Sequence, residues 1–267
     1  MTLSSPLNLH RPTRLNATFH EKVWGSTDLE PLFPKFNTKI GEVWFGAETN
    51  PPVLVKFIYT TENLSVQVHP DGKTEMWYIL RAEPGARIAL GFQEGISRER
   101  LREAAASGEI EKLLRWFPVK AGETYLSPAR TVHAIGAGIA LCEIQQNYLV
   151  TYRLYDYGRP RELHLDAAVA VADLGKHPGP AKPSEQSKGR QLLVSCEHFE
   201  TELLEIAGPA HPIQMKDSAF LVFLEGSGNL AGETFQAGEV WLIPAGNWQL
   251  ETLQSPTRAL HVRWPSR

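Results

Sequence analysis

Short apolar runs separated by glycine, proline and aspartate recur along the whole chain. Runs such as 140–145, 151–155 and 219–224 have the length of β-strands, and the residues between such runs are those that form tight turns. Many short strands with frequent turns are typical of folds in which two antiparallel sheets pack face to face. The pattern therefore predicts an all-β protein built from double-sheet barrels.

One segment departs from the strand pattern and predicts helix. Residues 97–116 carry apolar side chains at helical spacing among many charged ones, with Ser97 as a candidate N-cap and Gly108 as a break between two helical pieces. An amphipathic segment of this kind covers an apolar surface. We expect a small helical insertion near 97–116 that lies over a barrel.

A change in composition marks the predicted domain boundary. Residues 174–190 are polar and rich in proline and glycine, which is typical of a linker or an exposed loop. We therefore predict a first domain over 1–173 that includes the helical insertion, a linker over 174–190, and a second domain over 191–267.

The segment 64–75 carries the strongest chemical signal. Gln67 and His69 are two residues apart in a β-branched run, so they face the same side of a strand, and the turn after them can bring Glu75 to face them from the next strand. His133 is the candidate fourth ligand. An uncompensated carboxylate and imidazole inside a barrel would be costly, and a bound cation removes that cost. Nitrogen and oxygen donors of this kind suit a divalent ion such as Zn²⁺.

The surroundings of His133 form a second motif. Gly122, Pro128 and His133 stand at the spacing used by the cupin superfamily, with Arg130 in place of that motif's second glycine. Longer strings resemble the type I mannose-6-phosphate isomerases within that superfamily: 64–70, 72–78, 132–136 and 151–157, with further matches at 22–25, 41–44 and 161–164. The resemblance covers most of the chain. It implies two cupin domains, each a jelly-roll β-barrel, of which the first is catalytic.

The resemblance also implies an activity and a cofactor. Members of this family interconvert mannose 6-phosphate and fructose 6-phosphate, an aldose–ketose isomerisation that proceeds through an enediol. We therefore expect a metal-dependent isomerase with a small sugar phosphate as its partner and one Zn²⁺ per chain, held by Gln67, His69, Glu75 and His133.

The catalytic residues follow by matching positions to the family. Arg153 matches its catalytic arginine, and Glu143 matches an acidic residue of its pocket. An arginine stays protonated, so Arg153 is expected to stabilise the charge of the enediolate. The base stays open among Lys73, Glu143 and water at the ion.

The substrate phosphate needs fixed cations and hydrogen-bond donors. By resemblance, Ser65 aligns with a family serine near the phosphate, and Lys73, Arg153, Arg159 and Arg161 are the available cations. With Arg153 assigned to the chemistry, the predicted substrate-binding set is Ser65, Lys73, Arg159 and Arg161. Trp24 and Trp44 match N-terminal motifs of the family and are expected to pack in the core.

The barrel motif occurs a second time after the linker. The first set is Gly122, Pro128 and His133, and the second set, 116 residues further on, is Gly238, Pro244 and Gln249. Because a glutamine replaces the histidine, we expect the second barrel to have lost its metal and to be structural. His211 and Asp217 repeat the six-residue spacing of His69 and Glu75, which leaves a second metal site there as an alternative.

Composition and charge exclude several classes of partner. The 267 residues are 42% hydrophobic, enough for a sizeable core, and a net charge of −3 gives no reason to expect a nucleic acid or an anionic membrane as partner. The first residues lack the apolar stretch of a signal peptide and no run approaches a membrane span, so we expect a cytoplasmic protein. Cys142 and Cys196 are expected to be buried thiols. The sequence makes no prediction of oligomeric state.

Two other functions stay open. The turn after His69 is shorter than the family's usual loop, so the mouth of the pocket is expected to be more open, and a cupin isomerase for another sugar phosphate is the first alternative. A non-catalytic sugar-binding cupin is the second, and it would be expected to lack a ligand or Arg153. A cupin dioxygenase is disfavoured because Gln67 stands where such enzymes usually have histidine.

Overall fold

The computed structural model describes residues 10–46, 50–208, 210–253 and 256–265. In this part of the chain the elements follow in the order β1 (Thr13–Arg14), β2 (Thr18–Ser26), β3 (Ile40–Phe45), β4 (Val53–Thr60), β5 (Val66–Val68), β6 (Glu75–Ala82), β7 (Arg87–Phe92), α1 (Arg98–Ser107), α2 (Ile110–Leu113), β8 (Leu114–Pro118), β9 (Thr124–Ser127), β10 (His133–Ile135), β11 (Ile139–Gln146), β12 (Tyr152–Tyr155), α3 (Leu165–Val171), β13 (Ser184–Ser187), β14 (Arg190–Ser195), β15 (Glu200–Ile206), β16 (Ala210–Met215), β17 (Ala219–Glu225), β18 (Ser227–Leu230), β19 (Glu233–Gln236), β20 (Val240–Ile243), β21 (Gly246–Thr252) and β22 (Thr257–Arg263). No helix among these residues is both long and apolar enough to cross a membrane.

The named strands form four sheets that face each other in two barrels. In the first barrel a six-stranded sheet, in the order β2-β3-β4-β11-β6-β9, faces a five-stranded sheet, β12-β5-β10-β7-β8. In the second barrel a seven-stranded sheet, β1-β20-β17-β22-β15-β14-β13, faces a four-stranded sheet, β16-β21-β18-β19. Side chains of the facing sheets fill the interior, as Trp77 and Leu141 do with Leu90 in the first barrel. The predicted all-β fold of two barrels with a helical insertion is confirmed.

The two barrels share one apolar core, so the central strands of the six-stranded sheet are buried on both faces. Every residue of β4 is buried. Phe57 packs with Phe220 and Leu260 of the seven-stranded sheet, whereas the next residue, Ile58, packs inside the first barrel. Burial on both faces explains why β4 does not alternate between polar and apolar residues.

The helical insertion covers the outer face of the five-stranded sheet. Ser97 caps α1 by accepting a hydrogen bond from the Arg100 N–H at 3.1 Å, and Gly108, with a φ of 80°, ends the helix in the left-handed region. Leu101 packs against Val68 of the sheet. The predicted cap and break are both present.

Two features of the helical regions differ from the prediction. The insertion ends at Leu113 and not at 116, because Leu114 begins strand β8, which pairs with β7. The helix α3 was not predicted, although its apolar residues Leu165, Ala168 and Val169 have helical spacing and pack with α1 over the same sheet. A helix of seven residues gives too short a periodic pattern to stand out.

Two segments pair across the predicted division of the chain. Strand β1 pairs with β20 of the second barrel, although it lies in the predicted first domain. The predicted linker contains strand β13, and its buried His177 donates through Nε2 to the Leu126 carbonyl oxygen at 2.8 Å. The boundaries at 173 and 190 stay a prediction.

The internal repeat has a structural counterpart. The first glycine of each copy has a positive φ, 87° and 89°, and the strands that follow, β9 and β20, are also 116 residues apart. Ser127 of β9 pairs in register with Glu75, and Ile243 of β20 pairs in register with Ala219. An alanine therefore holds the position of the carboxylate in the second barrel.

The described residues of the second barrel form no other ligand cluster. Gln249 is exposed, because its neighbours Trp248 and Leu250 are the ones that pack in the core. His211 and Asp217 are exposed as well. In the described ranges, one group of His, Cys, Asp or Glu side chains is close enough to hold a metal ion, and it lies in the first barrel. His211 and Asp217 therefore do not form a second site of this kind.

The second barrel does keep a polar pair where the first barrel has one, with the acidic and basic partners exchanged. Lys56 of β4 pairs in register with Glu143 of β11, and at the equivalent place in the repeat Glu202 pairs with His261. Arg190 donates to both Glu202 oxygens, at 2.9 and 2.6 Å, and His261 Nδ1 lies 3.1 Å away. Burial alone would raise the pKa of Glu202, but these hydrogen bonds lower it to about 2.

We expect Glu202→Gln to destabilise the protein in a pH-dependent way. Because the folded pKa lies below the ordinary value of 4.5, the charge of Glu202 stabilises the fold above that pH, and the stabilisation is lost as the pH falls toward 2. Denaturant unfolding is expected to show a loss of roughly 1 to 2 kcal/mol near neutral pH, because solvent at the half-exposed Arg190 screens the pair, and a smaller difference from wild type near pH 3. The control is Glu225→Gln, at an exposed pair with Arg258. A difference that does not change with pH would show that the carboxylate charge is not the cause.

Candidate active site

Strands of the first barrel bring the predicted ligands together. Gln67 of β5 pairs in register with His133 of β10, and Glu75 begins β6 on the facing sheet. His69 follows β5, and the tight turn after it, with a φ of 94° at Gly72, leads into β6. The four predicted ligands therefore meet inside the barrel.

The cluster is compact and buried. His69 Nε2 lies 2.5 Å from Glu75 Oε1, and the imidazole rings of His69 and His133 are 4.8 Å apart. Gln67 Nε2 lies 3.2 Å from His133 Nε2. His69, Glu75 and His133 are at most 2% exposed, and their ligand atoms lie within 4.8 Å of one another. This geometry can surround a single ion.

Both histidines turn an unprotonated nitrogen toward the cluster. His69 Nδ1 donates to the Val150 carbonyl oxygen at 3.0 Å, and His133 Nδ1 donates to the Thr131 carbonyl oxygen at 2.9 Å. With Nδ1 protonated, Nε2 of a neutral ring keeps its lone pair for a cation. Burial lowers the pKa of His69 and lowers that of His133 to about 4, so both rings are neutral near pH 7.

The Glu75 carboxylate shows that the cluster suits a cation. Its Oε1 is buried without a hydrogen-bond donor among the described residues, and the lone pair of His69 Nε2 faces it. Two lone pairs this close repel unless positive charge lies beside them. Lys73 Nζ, 3.5 Å from Oε1 and 3.0 Å from His69 Nε2, supplies part of that charge. Two imidazoles, a carboxylate and an amide form a donor set that fits a divalent ion.

Gln67 can complete the donor set through its amide oxygen. That oxygen accepts a hydrogen bond from Ser65 Oγ at 3.2 Å, while the amide nitrogen faces His133. An amide binds a cation through oxygen, so ligation requires the amide to turn over. Ser65 Oγ can then accept from the amide nitrogen, and Ser65 itself lines the adjoining cavity.

A cavity of about 220 Å³ opens beside the cluster. Five cationic side chains and three carboxylates line it, namely Lys22, Lys56, Lys73, Arg153 and Arg161 with Glu42, Glu75 and Glu143. Positive charge therefore exceeds negative charge even without an ion. A cavity of this size and charge suits a small anionic molecule.

Glu143 lies in the cavity next to a lysine that was not predicted. Its Oε1 is 3.4 Å from Lys56 Nζ, and Trp77 Nε1 donates to its Oε2 at 3.0 Å. Burial raises the pKa of Glu143 to about 8, and the nearby Glu75 carboxylate adds to the shift. The sequence signal for Lys56 was a single charge inside the apolar run 53–60.

Of the predicted arginines, Arg153 and Arg161 reach the cavity and Arg159 does not. Arg153 Nη1 donates to the Glu162 carbonyl oxygen at 2.6 Å, which holds the side chain along the wall. Arg159 Nη2 donates to the Asn63 carbonyl oxygen at 2.8 Å, outside the cavity lining. The three arginines therefore have different surroundings despite their closeness in sequence.

The two tryptophans expected in the core also form the wall of the cavity. Trp24 is 3% exposed and packs in the core of the first barrel. Trp44 is only partly buried: Lys56 Nζ lies 4.3 Å from the centroid of its ring, and its Nε1 donates to Glu42 at 2.7 Å. Trp44 thus presents an aromatic face in the cavity, beyond a packing role.

The relatives found by comparison with known proteins share one name. No family model matches the chain. The mannose-6-phosphate isomerase of Streptococcus mutans is 37% identical over a gapped alignment of 276 positions, and the match covers 82% of this chain and 86% of the relative. A mannose-6-phosphate isomerase of Bacillus subtilis is 30% identical over a gapped alignment of 300 positions, and the match covers 88% of this chain and 93% of the relative.

Solved structures agree with these relatives. The crystal structure of a mannose 6-phosphate isomerase from Bacillus subtilis superposes with a TM-score of 0.84 at 27% identity, and the match covers 95% of this chain and 100% of the other. A zinc-bound mannose 6-phosphate isomerase has the same fold, with a TM-score of 0.76 at 16% identity. On this identity, coverage and fold, the chain belongs to the mannose-6-phosphate isomerase family of cupin proteins.

Proposed function

We propose that this protein is a metal-dependent aldose–ketose isomerase that interconverts mannose 6-phosphate and fructose 6-phosphate. The observation that carries the proposal is the buried His69–Glu75–His133 cluster, which opens on a cavity that also holds Arg153 and Glu143. The relatives' names agree with it.

We further propose that the ion is one Zn²⁺ per chain, held by Gln67, His69, Glu75 and His133. The neutral imidazoles, the donor-free carboxylate oxygen and the zinc-bound solved relative support this choice. When bound, such an ion acts as a Lewis acid that polarises a substrate carbonyl.

The protein's own residues supply the proton transfer. Isomerisation moves a proton between C1 and C2 of the sugar, and it needs a group that can both accept and give a proton near neutral pH. Glu143, whose pKa burial raises to about 8, meets this requirement, and Lys73, whose pKa burial lowers, is the second candidate; both line the cavity. Arg153 stays charged, so its role is to stabilise the negative charge of the enediolate.

The remaining polar residues of the cavity are proposed to hold the substrate. Arg161 and Ser65 line the cavity and offer donors to a phosphate, while Lys73 lies against His69 and Glu75 and so stands nearer the reacting carbons. Arg159 would act indirectly, because its guanidinium lies outside the lining. A cytoplasmic location and the absence of a nucleic-acid partner stay predictions from the sequence.

A panel of sugar phosphates tests the proposed function. Purified protein is expected to convert mannose 6-phosphate to fructose 6-phosphate and to discriminate against glucose 6-phosphate, which differs from mannose 6-phosphate only in configuration at C2. Preference for another sugar phosphate would favour the alternative isomerase. Saturable binding of sugar phosphate without turnover would favour the sugar-binding cupin.

Replacement of a ligand is expected to remove the ion. Elemental analysis of the wild-type protein should find one divalent ion per chain. His69→Ala should lose the ion, because only three of the four proposed ligands then remain. His198→Ala, at a partly exposed surface histidine paired with Glu197, is the control and should keep the ion. Full metal content in His69→Ala would place the ion elsewhere.

We expect Arg153→Lys to keep the ion and the fold but lose most turnover. A lysine retains the charge but cannot present the planar pair of donors. Loss of an oriented donor at a developing oxyanion costs about 2.7 to 4 kcal/mol, a roughly hundredfold to thousandfold lower kcat. Arg102→Lys, at the exposed pair with Asp166, is the control. Near-normal turnover with unchanged metal content would exclude Arg153 from the chemistry.

A further inference from the structure

We propose that Asp156 is the positioning residue of the phosphate-binding end of the cavity. It holds Arg161 so that one edge of the guanidinium faces the substrate phosphate. This inference rests on the proposed function, because it assigns a phosphate to the arginine end of the cavity. Asp156 itself is absent from the cavity lining and is not proposed to touch the substrate.

Asp156 is a buried carboxylate whose two oxygens both bind arginine. Oδ2 accepts from Arg161 Nε at 2.6 Å, and Oδ1 accepts from Arg161 Nη2 at 2.6 Å. Oδ1 also accepts from Arg159 Nη2 at 2.8 Å. Asp156 is 2% exposed. Binding at two points fixes the plane of the Arg161 guanidinium, which a single contact would leave free to rotate.

This contact determines which edge of Arg161 is available. Nε and Nη2 face Asp156, so Nη1, with two N–H donors, is the nitrogen left for the cavity that Arg161 lines. The side chain of Arg161 is 29% exposed, and a long side chain at such a position would otherwise sample many rotamers. An arginine already ordered by Asp156 loses less conformational freedom when it binds a phosphate.

Arg159 connects the Asp156 carboxylate to the segment that leads into β5. Its Nη2 donates to the Asn63 carbonyl oxygen as well as to Asp156. Asn63 lies two residues before Ser65 and four before Gln67. The Asp156 cluster is therefore anchored to the segment that carries both a proposed phosphate donor and a proposed metal ligand.

The negative charge of Asp156 also offsets the repulsion among the nearby arginines. Arg153, Arg159 and Arg161 lie close enough that burial and then these like charges lower the pKa of Arg153, while Asp156 opposes the effect. Without the carboxylate, Arg161 would be repelled toward solvent. The cluster of three arginines and one aspartate keeps a net positive charge, which a phosphate dianion can neutralise.

The test compares Asp156→Asn with Asp166→Asn, whose aspartate pairs with Arg102 on the surface. Asparagine is nearly isosteric but turns an amide N–H toward an arginine donor. We expect the KM for mannose 6-phosphate and the Kd for inorganic phosphate, measured by calorimetry, to rise about tenfold or more in Asp156→Asn. We expect metal content to be unchanged, kcat to change far less than KM, and Asp166→Asn to behave as wild type.

The calorimetry separates this inference from the proposed function. If the wild-type protein lacks isomerase activity but binds inorganic phosphate, and Asp156→Asn does not, the proposed function fails and the role of Asp156 stands. Failure of the wild-type protein to bind phosphate would overturn the role of Asp156. An unchanged phosphate Kd in a folded Asp156→Asn protein would do the same, and a fall in kcat alone would place Asp156 in the chemistry instead.

Arg161→Lys keeps the inference testable if Asp156→Asn folds poorly. Lysine retains the charge but cannot be held at two points, so it is expected by itself to weaken phosphate binding about tenfold. Where Asp156→Asn does fold, adding it to Arg161→Lys should weaken phosphate binding less than it does in the wild type, because both changes break one contact. Wild-type phosphate affinity in Arg161→Lys, or fully additive effects, would contradict the proposed positioning.

Discussion

The site depends on the burial of one carboxylate, Glu75, beside two neutral imidazoles. Hydrogen bonds from the Nδ1 atoms of His69 and His133 to main-chain oxygens leave both Nε2 lone pairs for the cluster: that of His69 faces Glu75, and that of His133 faces the Gln67 amide. Oε1 of this buried carboxylate has no hydrogen-bond donor among the described residues, which is unfavourable unless a cation neutralises it, so we expect the barrel to be most stable with an ion in place. Ion binding and folding of the first barrel are therefore expected to be coupled.

The packing of the two barrels against each other fixes which residues of β4 and β11 face the cavity beside this cluster. In β4 and β11, successive residues face opposite sides: Lys56 and Glu143 face the cavity, and Phe57 and Cys142 face the shared core. A shift of one residue in the pairing of β4 with β11 would put charged side chains into the core and apolar side chains into the cavity. The apolar contact between the barrels therefore also fixes which residues of these strands face the cavity. The second barrel, whose described residues hold no ligand set of their own, thus supports the geometry of the first.

Features that depend on local sequence could be predicted. The ligands on β5 and β6 follow from the two-residue period of a strand and a tight turn, and the Ser97 cap follows from helix-end chemistry. Features that depend on pairing between distant strands could not. His211 and Asp217 have the spacing of a ligand pair, but the register of β17 with β20 puts Ala219 at the position of Glu75.

Side-chain direction and partner choice were also beyond the sequence. Lys56 and Trp44 reach the cavity because the six-stranded sheet turns their faces inward, and nothing in their local sequence specifies that face. Arg159 and Arg161 have similar sequence surroundings, yet only Arg161 lines the cavity, because Arg159 bonds to the Asn63 carbonyl oxygen. Tertiary contacts determine the direction of these side chains and their hydrogen-bond partners.

The most direct test of the account is isomerase activity on mannose 6-phosphate, followed while a chelator removes the ion and zinc is then returned. We expect activity and thermal stability to fall together in proportion to metal content, and one equivalent of Zn²⁺ per chain to restore both. Undiminished activity in protein shown to be metal-free would contradict this expectation.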